Sequence, residues 1–403
     1  MLFRPAESSK NIVDFYRNYL LTTFQTNNEE YNRQLKEKLS GDGVISKGPY
    51  INVSDSFAKD KTINELIDMG FLCESMLNIS KFEPKKRKLY RHQVEAIKKS
   101  VQKKNLIITT GTGSGKTECF LIPVINELLK QQENGTLDSG VRTLIVYPMN
   151  ALVNDQIRRL RELFSSYTDC KITYGKFTGE TEEKYEEGKN EFLKREGFEP
   201  PINELVSREQ MRNTPPNILI TNYAMLEYLL LRPGDSIFFN TDNAPKWKSI
   251  VLDEAHTYGG AKGIEVGTLL KRVTTMLGRN DIQFMLTSAT LGDKNADKQI
   301  VNFAQSLCNS YFDETSIVRS YTVAPTKSDV IRSDVFPIYS KLAEKIRNGE
   351  SDREILNFIE EQGFEIISDA DEEVAKEKTL FNLVLQDEFY YKFRSLMLNQ
   401  TKP

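Results

Sequence analysis

The sequence is poor in several residue types and patterns, and each shortage excludes a class of protein. Its 403 residues include four cysteines that lie far apart without a CxxC pair, which argues against a zinc or iron–sulfur site built within this chain. We expect free thiols in a reducing compartment. No apolar run reaches transmembrane length, and the first residues lack the apolar stretch of a signal peptide, so the sequence predicts a cytoplasmic protein.

The chain also lacks an excess of positive charge. Lysine and arginine together number 54, and aspartate and glutamate number 57, which gives a formal net charge of -3. This balance produces no global basic field of the kind that marks many nucleic-acid-binding proteins, so any site for a polyanion must be local. With 39% hydrophobic residues, the chain can bury a sizeable core in two or three domains.

Between about residues 106 and 290, short aliphatic runs alternate with longer helical patterns. This order is typical of βαβ units that form a parallel sheet. The predicted strands are LIIT (106–109), TLIVY (143–147), KITYG (171–175), ILIT (218–221), SIVLD (249–253) and QFMLT (283–287). In an open α/β sheet the ligand site lies beyond the carboxyl ends of the strands, so we expect the polar segments after these runs to meet at one edge.

The flanking regions show helical periodicity without a glycine-rich loop. We predict an α-rich accessory region over residues 1–80, a central α/β domain over 81–310 and a second α-rich region over 311–403. The charged stretch within 176–216 is more typical of a solvated helical insertion than of a binding site. The basic run at 81–93 is likewise more typical of a solvated linker than of a phosphate-tracking patch.

The segment IITTGTGSGKTECF, residues 107–120, places three glycines directly after the first predicted strand. Such a turn between a strand and a helix lets consecutive backbone N–H groups face a polyphosphate, and the helix N-terminus adds partial positive charge. Lys116 then neutralises the β and γ phosphates, and Thr117 offers a hydroxyl to Mg²⁺. The alternative is a flexible turn that precedes a lysine. The residues predicted to hold the phosphates are Thr112, Gly113, Ser114, Gly115, Lys116 and Thr117.

A second segment, SIVLDEAH, supplies the acids that such a phosphate site needs. Its apolar strand precedes Asp253 and Glu254, an arrangement in which the first carboxylate holds Mg²⁺ and its neighbour polarises the attacking water. Two acids after a strand also occur in solvated turns, but here Lys116 lies 137 residues upstream of Asp253 in a phosphate loop. The two segments together predict ATP and Mg²⁺ as cofactors.

The strings TGTGSGKT, DEAH and LTSATLGD occur in the order and spacing of motifs I, II and III of superfamily 2 DNA and RNA helicases. The chain resembles this superfamily over roughly residues 89–292. The resemblance implies a RecA-like P-loop NTPase domain with a parallel sheet, flanked by α-rich regions. The longer strings YPMNALVNDQ, ILITNYAMLEYLLLRP and DEAHTYGGAKGIEVGTLLKRV are similar to those of large bacterial DEAH-type helicases of DNA repair and antiphage defence.

The resemblance also implies roles for individual residues. It makes Gln93 of LYRHQVEAI the reader of adenine, Glu254 the general base and His256 the last letter of the catalytic DEAH box. Ser288 and Thr290 correspond to residues that couple nucleotide state to strand movement. The residues implied to contact the nucleic-acid backbone are Pro148, Asn150, Ala151, Thr178, Gly179, Thr221 and Asn222. Asparagine, serine and threonine at strand ends also serve as helix or turn caps, which is the alternative at these positions.

Superfamily 2 motors close ATP between two RecA-like domains, and the second domain supplies arginines in a QxxGRxxR pattern that does not occur before Pro403. We therefore expect the ATP-binding half of an ATP-dependent helicase, with DNA favoured over RNA and a second RecA-like domain supplied in cis or in trans. An ATP-dependent translocase subunit of a defence or repair complex shares every motif. A nucleotide-dependent scaffold without turnover stays open as well. Strand displacement tests the former alternative, and ATP hydrolysis tests the latter.

Overall fold

The structure is a computed structural model that describes residues 5–41, 43–46, 55–111, 113–289, 296–324, 330–369 and 371–400. The chain divides into two compact units. One comprises Phe57–Val323, and the other comprises Met1–Ser56 together with Ala324–Pro403. None of the helices in the described ranges combines the length and apolar character that crossing a bilayer requires.

The strands and helices are numbered in chain order. The strands are β1 Ser56–Phe57, β2 Lys59–Thr62, β3 Lys88–Tyr90, β4 Leu106–Thr109, β5 Thr143–Tyr147, β6 Tyr174–Phe177, β7 Glu204–Leu205, β8 Ile218–Asn222, β9 Ser249–Leu252, β10 Gln283–Ser288, β11 Ile317–Arg319 and β12 Thr322–Val323. The helices are α1 Pro5–Thr23, α2 Glu29–Leu39, α3 Ile63–Asp68, α4 Arg91–Val101, α5 Lys116–Glu133, α6 Asn150–Phe164, α7 Tyr185–Glu196, α8 Arg208–Asn213, α9 Tyr223–Leu231, α10 Gly260–Leu277, α11 Asp297–Cys308, α12 Phe336–Arg347, α13 Asp352–Glu361, α14 Glu372–Gln386 and α15 Glu388–Gln400.

The unit Phe57–Val323 contains a sheet of eight strands in the order β11-β4-β10-β9-β5-β8-β6-β7. Every pairing between neighbours in this sheet is parallel. The carboxyl ends of the strands therefore lie along one edge, as the sequence analysis expected. The predicted α/β class with a parallel sheet is confirmed.

Helices cover both faces of this sheet, because its strands are apolar on both sides. One face buries Ile145, Val251 and Met285 with side chains of α4, α5 and α6. The other face buries Leu144 and Ile250 with side chains of α9, α10 and α11. The phosphate-loop helix α5 and the following helix α6 thus share one face of the sheet.

The outer strands differ most from the sequence prediction. The segment predicted as a strand at 171–175 pairs only from Tyr174 onward, because the N–H groups of Lys171 and Thr173 donate to side chains of Gln132 and Asn217 instead. The strands β7 and β11 are two and three residues long. Runs this short show no alternation of polar and apolar residues, so the sequence analysis missed both.

The sheet unit includes residues on both sides of the range 81–310. Ile63, Leu66 and Met76, which belong to the predicted accessory region 1–80, are fully buried in the same core as α5. Beyond residue 310, β11 pairs with β4 and extends the sheet. Buried apolar side chains before residue 81 and an edge strand after residue 310 therefore join the sheet unit.

The charged insertion is helical in part, as α7, but it is also tied to the sheet. Glu204 of β7 accepts two hydrogen bonds from the buried guanidinium of Arg161, at 2.7 and 2.9 Å. Arg161 also forms an ion pair with Glu196 at 2.9 Å and lies over the ring of Phe192. Buried and bidentate pairs of this kind fix geometry, so the insertion is not the freely solvated segment that its composition predicted.

The described residues of the second unit are largely helical. Their apolar core contains Val335, Ile338, Leu342, Ile355, Ile359, Phe364 and Leu383. These residues come from α12, α13, α14 and the chain next to them. The unit therefore has a hydrophobic centre of its own.

Candidate nucleotide and nucleic-acid site

The loop between β4 and α5 has the backbone geometry that its glycines predict. Gly113 and Gly115 have φ values of +73° and +70°, a region that residues with a side chain rarely adopt. A Cβ atom at Gly115 would also lie 2.4 Å from Nε2 of Gln93 and 2.9 Å from Oε2 of Glu118. Position 115 therefore requires glycine for conformation and for space, and α5 begins at the next residue, Lys116.

Two buried side chains of α4 hold this loop in place. His92 places Nε2 2.8 Å from the carbonyl oxygen of Ser114, and Gln93 donates from Nε2 to the carbonyl oxygen of Gly115 at 3.0 Å. The other end of the Gln93 amide accepts a hydrogen bond from the Tyr90 N–H at 2.8 Å. Gln93 thus braces the phosphate loop with both ends of its amide, and its implied contact with adenine stays a prediction.

Thr110 stands where the usual phosphate-loop pattern begins with glycine, and the structure gives this threonine a role. Its hydroxyl lies 2.7 Å from the hydroxyl of Ser114, so the two residues close the loop from within. Its N–H donates to the carbonyl oxygen of Ser288 in β10 at 3.2 Å. The loop is therefore tied to the strand that precedes the SAT segment.

The two acids follow β9 at the edge of the sheet. Leu252 of β9 is level with Leu286 of β10, and Asp253 accepts a hydrogen bond from the hydroxyl of Thr287 on that neighbouring strand. The same hydroxyl accepts the N–H of Glu254 at 3.2 Å. Sequence analysis missed Thr287 as a site residue, although it directly precedes the SAT segment. It fixes both acids at once.

Glu254 adopts a left-handed backbone conformation with φ of +48°, which is uncommon for a residue with a side chain. This conformation places its Oε1 3.4 Å from Nζ of Lys116 and its Oε2 3.3 Å from Nδ1 of His256. His256 in turn lies 3.1 Å from the Ser288 hydroxyl. The structure thus brings Lys116, the DEAH acids and the SAT serine together. Strain at such a residue is typical of functional sites.

Burial dominates the electrostatics of the site. It raises the pKa of the Asp253 carboxyl, and the neighbouring charge of Glu254 raises that pKa further. Burial also raises the pKa of the Tyr147 and Tyr258 phenols, with a further contribution from the charge of Asp253. Both phenol hydroxyls are buried without a hydrogen-bond partner in the described part of the chain. Asp253 is therefore a desolvated carboxyl whose charge acts on two buried phenols.

The residues present fit Mg²⁺ and a polyphosphate. Lys116 Nζ and Glu254 Oε2 are buried and have no hydrogen-bond partner among the residues that the structure describes. Asp253 provides a desolvated carboxylate, and Thr117 lies in the first turn of α5 beside Lys116. Hard oxygen ligands suit Mg²⁺, and the Lys116 ammonium, which makes an ion pair with Glu254 but no hydrogen bond to the described residues, suits a phosphate oxygen.

The implied nucleic-acid residues meet at the same edge of the sheet. Tyr147 of β5 is level with Asn222 of β8, whose Nδ2 donates to Oδ1 of Asn150 at 2.7 Å. Asn150 also donates to Glu180 at 3.1 Å. Asn222 caps α9 through the N–H of Met225, so the cap that sequence analysis kept open at this position is present. One asparagine therefore caps a helix and positions a second asparagine.

The other implied nucleic-acid residues divide into buried and accessible ones. Thr178 and Thr221 are buried, and the Thr221 hydroxyl donates to the carbonyl oxygen of Phe177 at 2.6 Å. Their side chains are thus committed to the protein. Pro148 is partly exposed, and Ala151 and Gly179 are exposed. The predicted residues Thr112 and Thr290 lie outside the described residues.

Comparison with known proteins agrees with this geometry. The model of the DEAD/DEAH box helicase family matches residues 90–298, which is half of the chain. The chain belongs to the DEAD/DEAH box helicase family. The matched range contains the phosphate loop, both acids and Ser288.

Relatives are similar over much of this chain but are far longer proteins. Druantia protein DruE of Escherichia coli is 28% identical over 75% of the chain, which spans 21% of that relative. The uncharacterized ATP-dependent helicase MJ1574 of Methanocaldococcus jannaschii is 30% identical over 58% of the chain and 28% of its own length. The structure of Mss116p bound to single-stranded RNA and AMP-PNP covers 74% of the chain and 55% of that protein, with a TM-score of 0.50 and 19% identity. This likeness confirms the predicted RecA-like helicase fold.

The buried carboxyl of Asp253 makes stability depend on pH. Because the pKa of Asp253 is raised in the folded state, the folded protein favours the protonated carboxyl. The folded state is therefore more stable at low pH and loses this stability as pH rises through the raised pKa. We expect Asp253→Asn, which keeps an oxygen for the Thr287 hydroxyl, to raise the urea midpoint near neutral pH. The advantage should shrink toward pH ~4, where the unfolded carboxyl also protonates.

An exposed carboxylate of the same unit, whose pKa is lowered rather than raised, provides a control. The Arg279 guanidinium lowers the pKa of exposed Asp281, so Asp281→Asn should leave stability unchanged or slightly lower near neutral pH. Urea titrations of both variants at several pH values make the comparison. A lower urea midpoint for Asp253→Asn near neutral pH contradicts the stated desolvation of Asp253.

Proposed function

We propose that this chain is the ATP-binding half of an ATP-dependent DNA helicase. The observation that carries the proposal is the pairing of Lys116 with Glu254 at 3.4 Å, beside the buried carboxylate of Asp253. One cation opposite two acids, at the end of a glycine loop, is the arrangement that binds and hydrolyses a nucleoside triphosphate. Membership of the helicase family and similarity to proteins named ATP-dependent helicases support the same function.

The residues divide the work of hydrolysis. The backbone N–H groups of the loop from Gly113 to Lys116 cradle the phosphates, and Lys116 exchanges its pairing with Glu254 for one with a phosphate oxygen. Thr117 and Asp253 would hold Mg²⁺, which supplies charge neutralisation on the phosphate oxygens. Glu254, released from Lys116, accepts the proton of the attacking water.

His256 and Ser288 connect this reaction to the rest of the sheet. His256 Nδ1 lies within 3.3 Å of Glu254 and 3.1 Å of the Ser288 hydroxyl. Movement of Glu254 away from Lys116 therefore alters the contact that His256 makes with β10. We assign the coupling role to this pair, and it is supported by the hydrogen bond from the Thr110 N–H to the Ser288 carbonyl.

Nucleic acid would bind along the carboxyl edge of β5, β6 and β8 through its backbone. Asn150 lies there with its amide positioned by Asn222, and Gly179 and Ala151 leave backbone exposed. Such contacts hold phosphates and sugars without reading bases. The strings YPMNALVNDQ and ILITNYAMLEYLLLRP, which resemble DNA-repair and antiphage helicases, support DNA over RNA.

Lys116→Ala should weaken ATP binding by roughly 10- to 100-fold, because a charge-assisted contact with phosphate is lost. Because the side chain lies at the loop rather than in the apolar core, the variant should stay folded, with a modest fall in melting temperature from the lost ion pair with Glu254. Fluorescent ATP titration and thermal denaturation of the 403-residue chain provide the two measurements. Lys130→Ala, in the last turn of the same helix, is the matched control. Equal ATP affinity in Lys116→Ala and wild type would exclude this loop as the phosphate site.

Binding of labelled single strands should be independent of base sequence, stronger for DNA than for RNA, and weaker as salt rises. Asn150→Ala should lower affinity by roughly 2- to 12-fold, the value of one hydrogen bond. It should leave the salt dependence unchanged, because asparagine carries no charge. Asn190→Ala, exposed on α7, is the control. A preference for RNA would replace DNA in the proposal, and a strong base preference would contradict backbone binding.

ATP hydrolysis by the chain should be slow until a second RecA-like domain is supplied in cis or in trans. An arginine donated across the cleft is worth roughly 1,000- to 100,000-fold in related phosphoryl-transfer enzymes. In the completed enzyme, Glu254→Gln should lower the hydrolysis rate by about 100- to 10,000-fold while ATP binding persists. Glu265→Gln, exposed on α10, is the control. Full-rate hydrolysis by Glu254→Gln would remove this carboxylate from the mechanism.

A further inference from the structure

Glu118 is a buried acid that the reaction described above does not use. It lies in the first turn of α5, one residue after Thr117, and its side chain is 7% exposed. Its Oε2 lies 2.9 Å from the position that a Cβ of Gly115 would take. The carboxylate is therefore packed directly behind the phosphate loop.

Two arginines from different segments converge on this carboxylate. Arg159 of α6 places Nη2 2.6 Å from Glu118 Oε1, and Arg87 places Nη2 3.3 Å from the same oxygen. The second oxygen, Oε2, is buried without a hydrogen-bond partner in the described part of the chain. A single carboxylate oxygen thus joins three segments of the sheet unit.

One of these arginines belongs to the helix that leads to the proposed nucleic-acid edge. The helix α6, which carries Arg159, begins at Asn150, the residue whose amide is held by Asn222. Arg87 lies in the basic run 81–93, which sequence analysis weighed as a phosphate-tracking patch or a linker. Glu118 therefore links the first turn of α5, behind the phosphate loop, to the helix that begins at Asn150 and to the basic run 81–93.

Stability alone does not explain this cluster. A buried ion pair loses hydration on both partners, and replacing it by apolar groups of similar volume is often neutral or stabilising. Here one acid faces two cations, and one of its oxygens has no partner, so the cluster leaves part of the desolvation of Glu118 uncompensated. Such an arrangement responds to nearby charge, because a phosphate at the loop adds negative charge close to Glu118.

We propose that Glu118 is the positioning residue that couples the nucleotide pocket to the nucleic-acid edge, by holding Arg159 and Arg87 against the first turn of α5. The proposal rests on the function proposed above and names the link between its two ligands. When phosphate occupies the loop, the attraction of Arg159 toward Glu118 changes, and α6 carries that change to Asn150. By linkage, nucleic acid at Asn150 must alter nucleotide affinity by the same factor.

The test measures this coupling in the 403-residue chain. The affinity for a labelled single-stranded DNA is determined with and without saturating AMP-PNP and MgCl₂, and the ratio of the two dissociation constants is the coupling factor. Typical couplings are about 5- to 150-fold, and we expect wild type to fall in this range. Glu118→Gln, which keeps shape and removes charge, should bring the ratio to within about twofold of unity. Each ligand measured alone should bind this variant with nearly wild-type affinity.

Three further variants separate coupling from folding. Glu127→Gln removes an acid of the same helix that pairs with Lys103 at 2.9 Å, and it should keep the wild-type coupling factor. Arg159→Lys keeps the charge and should retain part of the coupling. Combining Glu118→Gln with Arg159→Gln removes the nearer of the two guanidiniums that Glu118→Gln leaves without a counter-charge, so thermal stability should recover in part relative to Glu118→Gln alone while coupling stays lost.

The outcomes distinguish this inference from the proposed function. A wild-type coupling factor near unity, or a wild-type factor in Glu118→Gln, overturns the coupling role and leaves ATP and DNA binding intact. Recovery of coupling in the double variant shows that only charge balance matters, and it also overturns the proposal. Failure of wild type to bind either ligand overturns the proposed function, and the inference fails with it.

Discussion

The parallel register of β10, β9 and β5 determines where the charged groups of the site lie. Leu252 of β9 is level with Leu286 of β10 on one side and with Val146 of β5 on the other. The next residue of each strand therefore lies at the same level of the sheet edge. These residues are Asp253, Thr287 and Tyr147. Because the N–H of Asp253 still donates to the Val146 carbonyl at 3.0 Å, the strand geometry extends to the acid itself. A shift of one residue in the register of any of these strands would move its site residue to the opposite face of the sheet.

Charge balance at this edge depends on one lysine among the described residues that contact the two acids. Asp253 is desolvated, and the adjacent Glu254 opposes its ionisation, so both acids favour a nearby cation. Lys116 provides it at 3.4 Å from Glu254. In the proposed function, a triphosphate would compete for the same ammonium and so free Glu254 as a base. The proposed mechanism thus gives one cation two tasks, and ligand binding would change the surroundings of Glu254, the proposed general base.

Sequence reasoning succeeded where the signal lies in short strings whose chemistry is local. The glycine loop, the DEAH acids and the central strands could be read from the sequence, because a buried parallel strand is a continuous apolar run. The strands β7 and β11 could not, since two or three residues carry no periodicity. Thr287 was missed for another reason: its role depends on which strand lies beside β9, and strand order is a property of the whole sheet.

Gln93 shows the same limit of sequence analysis at a residue whose motif was recognised. The motif that contains it was recognised, but the structure engages both ends of its amide with Tyr90 and Gly115, a pairing that sequence spacing does not reveal. Likewise, the composition of the insertion predicted a solvated helix. Its tie to α6 through Arg161 and Glu204 joins residues 43 positions apart, and sequence patterns do not report such distant ion pairs.

The phosphate loop and the helix behind it are held by different kinds of interaction. Hydrogen bonds from His92, Gln93 and Thr110 fix the loop, and because none involves two opposite charges, an arriving phosphate perturbs them little. The first turn of α5 is instead held by the ion pairs of Glu118, whose strength falls or rises with nearby charge. The cradle can therefore stay rigid while the helix that leads away from it responds. In the proposed function, this division lets one loop bind a nucleotide and also transmit its presence to the neighbouring helix.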